Sequence, residues 1–407
     1  MSALGLPRAE SPDHVGLSSR RLERLADVVR RDVEKKVIPG AVVAIARGGR
    51  VGFAQAFGFR DRDAGTEMTL DSIFRIASMT KPMTTLAAMM LAKEGRLEIA
   101  APVASYLPEF AEMTVGVERK KATRTMTVQD LLRHTSGLTY SDFGDSPVQM
   151  IWRDAGLRDE NQTNADLTAK LGKLPLMFEP GTTWEYSMST DVLGRVVEVA
   201  SGKALGDFVA EHIAGPLGMV DTGFAASGAR AGRVAEPQAD PLTGKRPPMR
   251  NVKQPGRLQS GGGGAVSTAA DYLRFCQMLL NGGELDGVRL LAPKTVAVMA
   301  SDHLAPDIAY SATTRSRFGA LAPVPEMGHG FGLGFAVRTA QGRSPVPGSV
   351  GDFFWGGALG TYFWIDPQEQ MIAVLMAASP DQRLHYRYLT RQLVYAALTR
   401  SRSQRWR

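Results

Sequence analysis

The chain has 407 residues, 44% of them apolar and 22% charged, with a formal net charge of +7 and one cysteine. Its length suggests about two domains at roughly 100–200 residues each. One cysteine excludes an internal disulfide, and no apolar run approaches the ~18 residues needed to span a bilayer. The positive charge does not require nucleic acid, because it gathers near the C-terminus at Arg383, Arg387, Arg391, Arg400, Arg402, Arg405 and Arg407. Leu389, Leu393 and Ala397 there mark the apolar stripe of a terminal helix, whose basic face is expected in solvent. Residues 1–20 lack an apolar stretch leading to a small-residue cleavage site, so cytoplasmic residence is the default expectation.

In chain order, Leu22, Leu25, Ala26, Val29 and Val33 recur at helical spacing, and Pro39-Gly40 ends that helix. Two β-prone runs follow, Ala41–Ala46 and Val51–Phe57, and the Gly48-Gly49 pair between them predicts a tight hairpin. A helix opens near Ser78, with Pro82 acceptable in its first turn. Thr127-Val128-Gln129-Asp130 is a capping box leading into Leu131–His134. Val192, Leu193, Val196, Val197 and Ala200 trace a further helix that Gly202 ends, and the stretch from Ala225 to Pro255 reads as loop. Thr268 to Asp271 caps a helix carrying Tyr272, Phe275, Cys276 and Leu279, which Gly282-Gly283 ends. Strands are predicted at Phe331–Arg338, Phe353–Trp355, Thr361–Ile365 and Met371–Ala377, and a last helix follows. The pattern predicts an α/β (α+β) protein: an antiparallel sheet with flanking helices, built from 1–82 and 256–407, with a helical domain inserted at 83–255. A cleft between the two parts is where a small molecule would bind.

The chemistry starts at Ser78-Met79-Thr80-Lys81, the one place where serine is followed by lysine at this spacing. A serine hydroxyl is a weak nucleophile until a base takes its proton, and a lysine one helical turn on lies on the same face. The helix N-terminus also favours the developing alkoxide. Alone, Ser78 reads first as a helix cap, and the catalytic reading needs a second motif. Tyr186, in Tyr186-Ser187-Met188, sits in a turn just ahead of a helix. A neighbouring ammonium stabilises a phenolate, so a tyrosinate beside Lys81 could take the serine proton; a buried core tyrosine is the other reading. Trp355-Gly356-Gly357-Ala358 puts two glycines in an apolar strand, where something comes close to the backbone. A substrate carbonyl there would take the Ser78 and Ala358 N–H groups as its oxyanion hole, unless the glycines simply form a bulge. Together these segments read as a serine hydrolase that uses lysine and tyrosine where others use histidine.

Other chemistries find no support in the chain. No Gly-x-Ser-x-Gly elbow occurs, and the six histidines lack ligand-like spacing, so no metal is expected. His134 and Cys276 read as structural. Gly261–Gly264 lacks the Gly-Lys-Ser/Thr continuation of a phosphate loop and is expected to let a strand pass close to the site.

With these motifs in place, the chain resembles the serine β-lactamase and penicillin-binding-protein superfamily, and within it the class C β-lactamase-like carboxylesterases, or family VIII esterases. The resemblance rests on 74–81 (Phe-Arg-Ile-Ala-Ser-Met-Thr-Lys), 131–138 (Leu-Leu-Arg-His-Thr-Ser-Gly-Leu), 180–187 (Pro-Gly-Thr-Thr-Trp-Glu-Tyr-Ser) and the run from Ser260 to Met299. It implies Ser78, Lys81 and Tyr186 as catalytic residues. Two departures stand out. Where β-lactamases of this class carry a Lys-Thr-Gly strand for the antibiotic's carboxylate, this chain has Trp355-Gly356-Gly357, and where their tyrosine motif continues to an asparagine it has Met188. Both changes remove groups that grip a charged amide, so the resemblance implies neutral short-chain esters, with Trp355, Gly356, Gly357 and Met188 at the substrate. No cofactor is implied, and the expected partner is a small ester rather than nucleic acid or membrane. β-Lactamase, D-amino-acid peptidase, amidase and acyltransferase activities, or an inactive ligand-binding homologue, are the alternatives.

Overall fold

The computed structural model describes residues 4–240 and 243–401. Arg402, Arg405 and Arg407 of the C-terminal basic cluster lie outside the described residues, as do positions 241 and 242 of the expected loop. Eight strands form one antiparallel sheet: β1 (Gly40–Arg47), β2 (Arg50–Asp61), β3 (Thr66–Glu67), β4 (His329–Phe331), β5 (Ala336–Arg338), β6 (Phe353–Gly356), β7 (Tyr362–Asp366) and β8 (Met371–Ala377), in the order β4-β5-β6-β7-β8-β1-β2-β3. The first and last parts of the chain meet where β1 pairs with β8, from Ala41↔Ala377 to Arg47↔Met371. Gly48 and Gly49 close the β1–β2 hairpin with φ of 60° and 75°, the left-handed pair that a two-residue turn of matching twist requires.

Every residue of β1 is buried, so the sheet is covered on both faces. Helix α1 (Ser19–Glu34) packs on β2 and on the C-terminal helix, while the helix of Ala269–Leu280 packs on β1, β7 and β8. Helix α2 (Thr80–Lys93) buries twelve of its residues, from Thr80 to Leu91. It packs against α4 (Ser189–Ser201), which ends as expected at a left-handed Gly202 with φ 69°. Short α3 (Val128–Leu132) begins with the expected capping box, the Thr127 hydroxyl accepting from the Asp130 N–H and the Asp130 carboxylate from the Thr127 N–H. The helices of Ala269–Leu280 and Arg383–Ala396 are α5 and α6.

Three expectations are corrected. The single strand expected over Phe331–Arg338 is two strands, β4 and β5, because the chain reverses at Gly334 (φ 91°), where a Cβ would fall 2.5 Å from the Thr85 hydroxyl of α2. Gly261–Gly264 forms a turn rather than a passing strand. The basic face of α6 is not solvated at two of its arginines: Arg387 is 6% exposed and Arg391 0%, each held by a polar partner beneath the helix, while Arg383 is half-buried. The described part of the Ala225–Pro255 segment is loop apart from one 3-10 stretch, Gly228–Arg233.

Candidate active site

Ser78 lies in a single 3-10 turn, Ala77–Met79, directly ahead of α2. That turn is held on several sides. Ala77 adopts φ 44°, a left-handed conformation costly for a residue with a Cβ. The Thr80 hydroxyl donates to the Ala77 carbonyl (2.7 Å) and accepts the Ala265 N–H (3.1 Å). Tyr272 donates to the Met79 carbonyl (2.8 Å), and Thr361 to the Ile76 carbonyl (3.2 Å). None of these bonds uses the Ser78 hydroxyl, and a first-turn N–H such as that of Ser78 has no intrahelical acceptor.

Lys81 is fully buried. Its ammonium donates to the Gly262 carbonyl (2.8 Å) and the Tyr140 hydroxyl (3.0 Å), and lies over the Tyr186 ring, 4.5 Å from its centroid. The Gly261–Gly264 turn thus acts on the lysine: the Gly262 N–H donates to Asp191 Oδ1 (3.1 Å), and a Cβ at Gly262 would fall 2.3 Å from Asp191 Oδ2. Only glycine lets that carbonyl reach Lys81.

Lys81 meets the face of the Tyr186 ring rather than its hydroxyl. The Tyr186 oxygen instead accepts the Trp355 indole N–H (3.1 Å). The ring sits among aromatic neighbours, with His134 at 4.8 Å and Trp355 at 5.2 Å between centroids. His134 accepts the Ser187 N–H on Nδ1 (3.3 Å) and so supports the turn carrying Tyr186. Burial, and then the charge of Lys81, hold His134 well below its ordinary pKa, so it is neutral.

Tyr140 is the site residue that sequence reasoning missed. Its signal was an aromatic two residues beyond the Ser136-Gly137-Leu138 segment that follows α3. Burial first, and then the charge of Asp191, raise its phenol well above the ordinary value, so it stays protonated.

A cavity of about 450 Å³ brings Ser78, Tyr140, Tyr186, Met188 and Ala358 together, with Phe143, Leu157, Leu167 and Leu258 as apolar lining and Arg158, Glu160 and Arg250 among its charged residues. Trp355, Gly356 and Gly357 are not among the lining residues. Trp355 is 3% exposed and meets the site through Tyr186, while the two glycines lie just before Ala358 in the chain.

Residues 25–396 match the Beta-lactamase family. The chain belongs to that family. Among its relatives, Protein Rv1367c of Mycobacterium tuberculosis is 35% identical over 368 residues, covering 87% of this chain and 89% of that protein. Esterase EstB of Burkholderia gladioli is 32% identical over 392 residues, covering 90% and 92%. The solved structure of EstCE1, described as a hydrolase with promiscuous acyltransferase activity, superimposes with a TM-score of 0.79 at 27% identity, covering 92% of this chain and 98% of that one. The β-lactamase-like architecture thus agrees with the fold expected from sequence.

Proposed function

We propose that this β-lactamase-family protein is a serine carboxylesterase acting on short-chain esters through an acyl-enzyme on Ser78. The observation that carries the reading is the Lys81 ammonium: it is fully buried one turn beyond Ser78, and its hydrogen-bond acceptors are a carbonyl and a phenol. No ion pair of Lys81 occurs among the described residues. An amine held by neutral acceptors can exchange a proton without breaking a buried ion pair, as general acid–base work requires.

Ser78 Oγ adds to the ester carbonyl while its proton passes to the Tyr186 oxygen, which takes part as a phenolate favoured by the Lys81 ammonium over its ring and by the Trp355 indole N–H. The Ser78 and Ala358 N–H groups hold the oxyanion, the bond to the alcohol oxygen breaks, and the alcohol leaves with that proton. Water then adds to the acyl-enzyme, gives its proton by the same route, and releases the acid and free Ser78. Tyr186 is assigned to the water, because its oxygen accepts from Trp355 while Tyr140 is engaged with Lys81 and stays protonated. The names of EstB and EstCE1 support ester hydrolysis over antibiotic hydrolysis. Cytoplasmic residence belongs to the same proposal and rests on the single, buried Cys276; no described helix is long and apolar enough to cross a membrane.

A fluorophosphonate tests the reading. Its phosphorus should bond to Ser78 Oγ with loss of fluoride, and peptide mapping should find the adduct on the peptide containing Ser78. An adduct on another serine, or none, overturns the assignment and favours an inactive ligand-binding homologue.

Specificity gives a second expected outcome. Trp355, an apolar side chain, stands where the resemblance places a β-lactamase lysine, and a lost charge-assisted hydrogen bond is worth about 1.5–3 kcal/mol. kcat/KM for p-nitrophenyl butyrate should therefore exceed that for nitrocefin by at least about ten-fold. Equal efficiency would mean that another cation grips the carboxylate, with Arg250 of the cavity wall the first to replace.

A further inference from the structure

The two glycines of Trp355-Gly356-Gly357 mark a close approach, and the group that approaches Gly356 is a buried arginine. A Cβ at Gly356 would fall 2.5 Å from Cζ of Arg387 and 2.7 Å from its Nε and Nη2. At Gly357 it would fall 2.2 Å from the Thr361 hydroxyl and 2.5 Å from the Ile76 carbonyl, two residues before Ser78. The glycines therefore let β6 close down on Arg387 from one side and on the segment leading to the nucleophile from the other.

Arg387 Nη2 donates to the Gly357 carbonyl at 2.6 Å. Its other surroundings are unusual for a buried cation. Among the described residues it forms no ion pair, whereas Arg391, one turn later on α6, is paired with Asp352. Among the described residues its Nε has no hydrogen-bond partner. Burial pushes its pKa down to about 10, opposed by the nearby Tyr362, so it remains a cation at neutral pH. Burying a cation without a carboxylate is unfavourable, and its hydrogen bond to Gly357 falls on the peptide that ends in the proposed oxyanion donor.

We propose that Arg387 is a positioning residue for the oxyanion hole: its guanidinium polarises the Gly357–Ala358 peptide and so strengthens the Ala358 N–H that faces the substrate carbonyl. The Gly357 C=O and the Ala358 N–H are the two ends of one planar trans peptide unit and point in opposite directions. A cation on the oxygen draws electron density across the amide, and hydrogen bonds in series strengthen one another in a low-dielectric interior. The same bond fixes the peptide plane, so the donor needs little reorganisation as charge develops on the substrate oxygen. The inference rests on the reading of Ser78 and Ala358 given above, and Arg387 itself does not touch the substrate.

The test compares Arg387→Met and Arg387→Lys with the parent on p-nitrophenyl butyrate and on the matching thionoester, whose sulfur accepts hydrogen bonds poorly. Deleting an oxyanion donor costs about 10²–10³ in kcat, and weakening one should cost about ten- to hundred-fold. Arg387→Met should therefore lower kcat on the oxoester by that factor with KM within about two-fold, and lower thionoester turnover much less. Arg387→Lys, which keeps a cation, should recover part of the loss. Equal losses on the two substrates, or a rise in KM alone, would overturn the proposal in favour of a purely structural tie between β6 and α6. If Arg387→Met does not fold, the same ratio measured on Arg387→Lys decides, since an ammonium with a different reach should still shift the oxoester selectively. Ala358→Pro, which removes the donor, separates the two levels. Parent-like turnover there defeats the oxyanion reading itself; a large loss there beside fully active Arg387 variants defeats only the role of Arg387.

Discussion

Ser78→Ala is expected to lower kcat/KM for a short-chain p-nitrophenyl ester by about 10⁴-fold or more, because no other group can form the acyl-enzyme and what remains is binding and oxyanion stabilisation. The melting temperature should hardly move, since the turn is fixed by Thr80, Tyr272 and Thr361 rather than by the Ser78 hydroxyl. Lys81→Ala should be nearly as inactive but less stable, because it strips the buried Gly262 carbonyl of its charged donor, a loss of about 1–3 kcal/mol. The double variant should lose little activity beyond the worse single, as members of one catalytic unit do not add. Multiplicative losses, or a Ser78→Ala protein with parent turnover and an unchanged circular dichroism spectrum, would remove Ser78 and Lys81 from a shared mechanism.

What could be read in the sequence was what local geometry decides. Ser78 and Lys81 sit one turn apart whatever surrounds them. Gly48-Gly49 suits almost nothing but a tight turn, and the Thr127–Asp130 capping box is satisfied within four residues. Long-range placement was harder to read. Tyr140 lies in a loop, and nothing near it in sequence indicates that Lys81, 59 residues earlier, donates to it. The reversal at Gly334 lacks the Asn-Gly or Asp-Gly pair that marks a hairpin, and what demands glycine there, besides its φ of 91°, is the close Thr85 hydroxyl of a distant helix. Arg387 and Arg391 look like a solvated face because arginine is seldom fully buried without a partner. The partners are Gly357 and Asp352, 30 and 39 residues away, and both lie under α6. The glycines of the Trp-Gly-Gly segment did announce a close approach; they could not say that the approaching group was the protein's own arginine.

Asp352→Asn is expected to destabilise the protein by about 3–5 kcal/mol, the usual result of removing one partner from a buried ionic group. Asp352 is fully buried and accepts from Arg391 Nη1 (2.9 Å), Arg391 Nη2 (3.0 Å) and Arg338 Nε (3.1 Å), both arginines being buried as well. Without the carboxylate, two guanidiniums face each other across a neutral amide. Replacing all three residues together by apolar ones should restore much of the loss, because no uncompensated charge is then left. Urea unfolding of the single and triple variants measures both effects, and an Asp352→Asn protein within about 1 kcal/mol of the parent would show the cluster to be hydrated rather than dry. The pH dependence carries a second signature. Burial raises the Asp352 pKa, but the two arginines prevail and hold it below the ordinary carboxylate value of 3.8, so its contribution is present above that value and disappears as pH falls through the lower folded one. His329 acts earlier: burial and Arg338 push it from 6.5 to about 3, so below about pH 6.5 the unfolded chain takes up a proton that the folded chain refuses, and stability declines towards pH 3. The Asp352→Asn protein should lose the steep limb below pH 3.8 while retaining a decline that begins near 6.5. Parallel acid-unfolding curves for parent and variant would assign the acid lability to some other group.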